Sequence, residues 1–193
     1  MPHYPKITGE KCYLAPPDPA YADLFTAWLN DPQVAIHLNA FHRVFTVEYE
    51  RNWLEKYAAR PENEYHFAIV DGETEQPIGV CGLTLLDTAN RTAQFGIFIG
   101  DRYFWRRGYG YEATMLLLDF AFHVINLNSV WLSVYEYNGN AISLYEKCGF
   151  QKTGRRREAR ILGDKKFDSI LMDILASEFK SPVMDRFISE LTR

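Results

Sequence analysis

The run Ile97-Phe98-Ile99-Gly100-Asp101-Arg102-Tyr103-Phe104-Trp105-Arg106-Arg107-Gly108-Tyr109-Gly110-Tyr111-Glu112-Ala113 has the makings of an anion-binding turn. An apolar strand pattern leads into basic residues punctuated by two glycines, and the turn opens directly into a long apolar helix. The N–H groups of a helix's first turn have no partner inside the helix and carry the positive end of its dipole. Gly108 and Gly110 let the backbone approach an anion with no Cβ in the way. Arg102, Arg106 and Arg107 can add charge around it. The chemistry implied is retention of a phosphate-bearing cofactor on the N–H groups from Arg106 to Tyr111.

Three glycine-loop readings compete with an ordinary strand-to-helix turn. A P-loop needs Lys followed by Ser or Thr at the helix start, and Gly110 is followed by Tyr111. Gly108-Tyr109-Gly110-Tyr111-Glu112-Ala113 fits the dinucleotide pattern G-x-G-x-x-A, and Glu136 ends the next strand, where a ribose-binding acid could sit. That fingerprint puts its first glycine at the strand end, however, and here Asp101 to Arg107 intervene. It also needs further strand–helix units, for which the chain after Glu136 is too short and wrongly patterned.

The third reading is a coenzyme A pyrophosphate loop. Trp105-Arg106-Arg107-Gly108-Tyr109-Gly110 resembles the acetyl-CoA motif of the GNAT N-acetyltransferases, Q/R-x-x-G-x-G/A, with Trp105 where that motif has Gln or Arg. Asn138-Gly139-Asn140-Ala141-Ile142-Ser143-Leu144-Tyr145-Glu146-Lys147-Cys148-Gly149-Phe150 resembles a second GNAT signature, N-x-x-A-x-x-L-Y-x-x-x-G-F. Its physics can be read independently: Asn138 or Asn140 caps a short helix, Ala141, Leu144, Tyr145 and Cys148 share one face, and Gly149 is a left-handed stop. The resemblance is to the branch of ribosomal-protein N-terminal and spermidine acetyltransferases. It covers residues 8 to 176 and is strongest from Phe95 to Leu175.

The resemblance implies acetyl-CoA as cosubstrate and no metal. It implies a mixed α/β, mostly antiparallel sheet with helices on both faces and a central parallel strand pair that splays. The pantetheine arm would pair with backbone freed by that splay. An N–H near Phe98 or Ile99 would meet the thioester oxygen, Asn138 would contribute to coenzyme binding, and Tyr145 would protonate the departing thiolate. The family's general base is a Glu on the strand before the Tyr helix, but Ser133 occupies that position, so the role is not carried over. Glu136, His37, His42 and His66 are candidates, as is a water relay. The acceptor would be a primary amine, a protein N-terminus or a small molecule. It would lie along Asn30–Phe45, with His37, Phe41, His42 and Phe45, across from Arg155, Arg156, Arg157 and Arg160, part of which faces solvent. The alternative is a catalytically silent coenzyme A-binding domain that serves as a sensor or partner.

Composition agrees. The chain of 193 residues is 47% hydrophobic and 24% charged, suited to one acetyltransferase domain with a core over about 8–176 and a tail over 177–193. A net charge of −4 argues against nucleic-acid binding. Cys12, Cys81 and Cys148 are odd in number and lack metal spacing, as free thiols in the cytoplasm would be. The first residues carry no apolar signal segment, and no run approaches the ~20 apolar residues of a membrane span.

The elements that must position these residues follow from pattern. Strands are expected at Cys12–Leu14, Tyr65–Val70, Ile78–Leu86, Thr92–Ile99, Val130–Tyr135, Gln151–Ile161 and Lys166–Leu175. Helices are expected from Asp18 or Pro19 to Trp28, after Thr46 with a Tyr49, Trp53, Tyr57 stripe, and from Gly108 to about Asn126. The last is apolar except for a stripe of Glu112, Asp119, His123 and Asn126. In the tail, Ser181 should cap a helix with Pro182 first and a stripe of Val183, Met184, Phe187, Ile188 and Leu191. So short a helix persists only if docked on this chain or on a second copy in a homodimer.

Overall fold

The computed structural model describes residues 4–58 and 64–191. The strands are β1 (Ile7–Thr8), β2 (Cys12–Ala15), β3 (Tyr65–Asp71), β4 (Pro77–Asp87), β5 (Thr92–Ile99), β6 (Ser129–Tyr135), β7 (Gln151–Leu162) and β8 (Lys165–Leu175). The helices are α1 (Ala22–Asn30), α2 (Pro32–Ala35), α3 (Val47–Ala58), α4 (Tyr109–Asp119), α5 (Gly139–Lys147) and α6 (Met184–Leu191). All eight strands form one sheet in the order β1-β2-β3-β4-β5-β6-β8-β7. Each pairing is antiparallel except β5 with β6. The mixed α/β class expected from the sequence is therefore observed. Short β1 and α2 were not among the expected elements.

The sheet is covered on both faces. On one, Leu116, Leu117 and Leu118 of α4 are fully buried against β-strand side chains such as Ile69, Leu83 and Leu132. On the other, Phe25 and Trp28 of α1 pack with Leu54 of α3 and Val80 of β4. α3 begins as expected, with Thr46 Oγ1 accepting from Tyr49 N at 3.1 Å. Asn138 Oδ1 accepts from Ala141 N at 3.3 Å to start α5, and Gly149 ends it at φ +101°.

α4 departs from expectation at its end. It is α-helical only to Asp119 and then widens into a π turn over Phe120–Val124, with Ile125 N donating to Phe120 O at 3.1 Å. Its polar stripe ties down both ends of the chain. Glu112 Oε1 accepts from Lys11 N at 2.8 Å at the start of β2. Asp119, fully buried, accepts from Val183 N at 3.0 Å and Met184 N at 3.3 Å. His123 Nδ1 lies 3.0 Å from the other Asp119 oxygen, and its Nε2 is 3.6 Å from Asp185.

The tail helix starts at Met184, two residues later than Pro182, with a buried carboxylate from α4 capping its start beside the expected Ser181. Ser181 Oγ accepts from Asp185 N, in the first turn of the helix, at 3.0 Å. Only Val183 and Met184 of the apolar stripe reach the core; Phe187, Ile188 and Leu191 are 54%, 41% and 72% exposed.

Replacing Asp119 by Ala strips two part-buried N–H groups of their acceptor, a loss on the order of 2 kcal/mol. Hydrogen exchange of D119A is expected to show faster exchange from Val183 to Leu191 and little change in β3 to β5. Unaltered tail protection would mean that apolar contact alone holds α6.

Candidate active site

The parallel pair β5–β6 stops almost as soon as it starts. Thr92 pairs with Ser129, Ala93 with Val130 and Gln94 with Trp131, and there the ladder ends. Beyond it each strand is held on its outer edge only: β5 pairs with β4 as far as Ile99 opposite Gly79, and β6 pairs with β8 as far as Tyr135 opposite Ser169. A wedge opens between Phe95–Ile99 and Leu132–Tyr135. The peptides bordering it can be identified. Gly100 N donates to Ile78 O on the β4 side, whereas Ile99 O faces away from β4 and accepts from Trp105 Nε1 at 2.8 Å. Backbone groups alternate along a strand. Ile97 and Phe95 therefore turn toward the wedge with Ile99, and Phe98 turns to β4. Of the two strand positions expected for the thioester N–H, Ile99 turns to the wedge and Phe98 does not; Ile97 is the other that turns there.

The wedge is the middle of a cavity of about 840 Å³. Of the residues expected to hold coenzyme or catalyse, Phe98, Ile99, Arg106, Gly108, Gly110, Tyr111, Asn138 and Tyr145 line it. Arg107 and Tyr109 do not line it. The Arg107 guanidinium sits 3.7 Å over the Tyr103 ring. The Tyr109 phenol donates to Asp71 Oδ1 at 2.7 Å, anchoring the first turn of α4 to the β3–β4 turn. Arg102 is also spent elsewhere, on Gln33 and on Asp31 at 3.5 Å. Of the three arginines expected around an anion, Arg106 alone borders the cavity. Lys147, which the sequence reading did not single out, lines it too, with its ammonium 4.6 Å from the Tyr111 ring.

The loop itself has the expected form. Arg106 at φ +59° and Gly108 at φ +93° turn the chain sharply into α4. No side chain caps the N-terminus of α4, so its first-turn N–H groups are left for a ligand. The Trp105 indole fastens the loop to the end of β5. An open helix start, a positive side chain and an adjacent wedge of unpaired backbone fit a pyrophosphate joined to a diamide arm.

Tyr145 stands at the wedge on α5, buried, its ring edge-on to Phe95 at 5.9 Å and to Phe150 at 5.8 Å. Burial raises its phenol well above the ordinary tyrosine range, so it remains a proton donor. The thiols are poor nucleophiles for the same reason: burial pushes Cys148 and Cys12 up to about 12 and Cys81 well above its usual value.

The other end of the cavity is roofed by the segment between α2 and α3. Asn30 pins its ends, accepting from Phe45 N at 3.0 Å and donating to Phe45 O at 2.8 Å. From across the cavity, Tyr137 Oη donates to Ile36 O at 2.7 Å and Tyr135 Oη to Asn39 at 2.5 Å. Arg160 donates to Leu38 O at 3.2 Å, its guanidinium 5.6 Å from the Phe41 ring and 4.9 Å from the Tyr135 ring. Arg160 is thus a clamp on this strap, while Arg155 pairs with Asp168 at 3.1 Å at the sheet edge.

The candidate bases separate cleanly. Glu136 accepts from Asp168 N at 2.8 Å and lies outside the cavity, as does His42. His37 and His66 line it, and burial lowers both toward the neutral form; His66 also contacts Glu64 at 3.1 Å. Glu50, which sequence reasoning missed, lines the cavity at 3% exposure. No hydrogen bond or ion pair among the described residues engages its carboxylate, and burial raises it to about 7. Its signal was available: Glu50 precedes Trp53, Leu54 and Tyr57 by three, four and seven residues, so it is a carboxylate on a core-facing helical stripe.

Fold and site together define an acetyltransferase that works from coenzyme A. Residues 11–151 match the acetyltransferase (GNAT) domain family, and the chain belongs to it. It is 29% identical over 161 residues to the uncharacterised N-acetyltransferase p20 of Bacillus licheniformis, covering 82% of this chain and 89% of that one. It is 30% identical over 118 residues to a spermidine N(1)-acetyltransferase of Vibrio cholerae, covering 60% and 66%. The structure of spermidine N-acetyltransferase from Vibrio cholerae in complex with CoA and spermine matches with a TM-score of 0.79 at 22% identity, over 88% of this chain and 98% of that one. The protein is an N-acetyltransferase that moves acetyl from acetyl-CoA to an amine. No described helix is long and apolar enough to cross a membrane.

The unpartnered Glu50 carboxylate has a thermodynamic signature. The native carboxyl keeps its proton to higher pH than the unfolded one, near 4.5 against about 7. In that window the native chain binds more protons, so wild-type stability falls as pH rises. E50Q is expected to melt above wild type at pH 8, by on the order of 2 kcal/mol in stability, with the gap closing below pH 4.5. Identical melting of the two proteins across that range would show the carboxylate to be solvated.

Proposed function

We propose that acetyl passes directly from acetyl-CoA to a primary amine bound beneath the strap, with no acetyl-enzyme. The carrying observation is that one cavity joins the uncapped start of α4, the unpaired edge of β5 and the Tyr145 phenol. The thioester supplies the activated acetyl group. The N–H groups from Arg106 to Tyr111 hold the pyrophosphate, with Arg106 and Lys147 adding charge; Arg107 and Tyr109 contribute backbone only. Asn138 supports coenzyme binding at the head of α5, where its side chain is already engaged as the cap.

The Ile97 or Ile99 N–H faces the thioester oxygen, and a single preset donor at a developing oxyanion is worth ~3–4 kcal/mol. Tyr145 gives its proton to the leaving sulfur. The buried thiols favour direct transfer, because none is poised as a thiolate. A silent coenzyme-binding module would have no use for a buried, protonated phenol at this place.

The acceptor is a small amine or a peptide N-terminus. Relatives named for spermidine keep polyamines in the test panel. The protein is read as one acetyltransferase domain working in the cytoplasm, with α6 as an appendage to the core.

Two variants test this. Gly108→Val forces a branched side chain into left-handed φ. It is expected to weaken acetyl-CoA binding at least tenfold by calorimetry, with the sheet intact by circular dichroism. Tyr145→Phe should lower kcat by about a hundredfold with KM values little changed. Unchanged acetyl-CoA affinity in the first variant, or unchanged kcat in the second, contradicts the assignment concerned.

A further inference from the structure

We propose that Glu50 receives the ammonium of the acceptor and takes its proton before attack, and that the cavity thereby selects a primary amine carrying one positive charge on an apolar body. This rests on the acetyl transfer proposed above and adds its acceptor.

Charge is distributed unevenly around the cavity. Arg106 and Lys147 stand at the coenzyme loop, and Arg43 lies on the strap. Among the described lining residues Glu50 is the one carboxylate. A polyamine brings further ammonium groups, each of which must find an anion or keep its water. This cavity offers a single anion beside Phe25, Phe45, Trp53 and Phe98. Such a wall suits a hydrocarbon or aromatic body behind one cation.

Burial without a partner is costly for a carboxylate. Glu50 lies on the same helix as fully buried Leu54, where an apolar residue would be more stable. A group retained against stability in a cleft is the mark of a functional residue. An incoming ammonium supplies the missing partner.

The groups that surround it leave it free to act. Tyr49 shares its helix. The Pro19–Tyr21 turn packed on α3 brings Tyr21, a phenol raised to about 12, while α1 presents only apolar Phe25 and Leu29 to the cavity. The strap brings His37 and Arg43, β3 brings His66, and β4 brings Cys81. Burial favours neutral imidazoles and a protonated thiol, so Arg43 is the fixed charge on that side. With its carboxyl raised to about 7, Glu50 is matched to accept a proton near neutral pH.

The transfer balances. The Glu50 carboxylate takes one proton from R–NH3+, leaving R–NH2 and a carboxylic acid. The nitrogen lone pair forms the N–C bond at the thioester carbonyl, and the C–S bond breaks as the carbonyl re-forms. The thiolate takes the Tyr145 proton, and the second proton lost from nitrogen restores the phenol. Glu50 then releases its proton to water, which accounts for the one proton of the net reaction.

The test is titration of phenethylamine and of spermidine, at pH 8 with coenzyme A present, into wild type and Glu50→Gln. Phenethylamine is expected to bind wild type at least as tightly as spermidine does, and at least tenfold more weakly to E50Q. Acetylation of phenethylamine by wild type should show kcat/KM rising through pH 7, a rise absent in E50Q. Equal phenethylamine affinity in the two proteins, no phenethylamine binding to wild type, or a tenfold preference for spermidine overturns the proposal. Acetyl-CoA affinity, expected to be equal in both, is read separately: no acetyl-CoA binding to wild type defeats the proposed function itself.

Discussion

The site depends on a ladder that ends early. β5 and β6 share three paired positions and then part, each still held by its outer neighbour. Backbone polar groups left bare inside a protein cost about 1–3 kcal/mol each, so a sheet does not open in its middle without something to fill it. The pantetheine arm is a diamide and can complete the ladder as a short strand would. The wedge sets the rest of the site: in the function proposed here the loop at the end of β5 receives the pyrophosphate, and α5, which follows β6, brings Tyr145 to the gap.

Holding the wedge open falls to contacts at its rim. The Trp105 indole takes the Ile99 carbonyl and closes the end of β5. Tyr135, Tyr137 and Arg160 reach across to the strap and seat its backbone carbonyls and Asn39. Polar groups on α4 and the π turn after it divide their work similarly: Glu112 fastens the start of β2, and Asp119 with His123 fastens the tail. Little of the polar chemistry in this fold is idle. Glu50 differs: among the described residues no hydrogen bond or ion pair engages its buried carboxylate.

What was legible in the sequence was local. The cap of α5, offered by Asn138 or Asn140, and the Gly149 stop depend on neighbours a few residues away; Asn138 takes the first and Gly149 stands where the pattern put it. Strand alternation gave the layout, while the splay of the parallel pair was expected only from the family resemblance. What was not legible depended on residues distant in the chain. Arg102 looked free for an anion until Gln33 and Asp31 claimed it. Ser181 does accept from the tail helix, but the second cap, Asp119, arrives from α4 and could not be read locally. Phe98 and Ile97 are interchangeable in a strand pattern, and only the bond from Gly100 to Ile78 fixes which peptide faces the wedge. Glu50 was hidden by its company, since its stripe reads as core and one charge within it is easily passed over.

The central claim is that coenzyme completes the β5 edge, and amide exchange along β5 tests it most directly. With acetyl-CoA bound, the Ile97 and Ile99 N–H groups are expected to gain strong protection, while Phe98, already turned to β4, changes little. Uniform exchange along Phe95–Ile99 with and without saturating acetyl-CoA would contradict the account, because the wedge would then be filled by something other than the coenzyme.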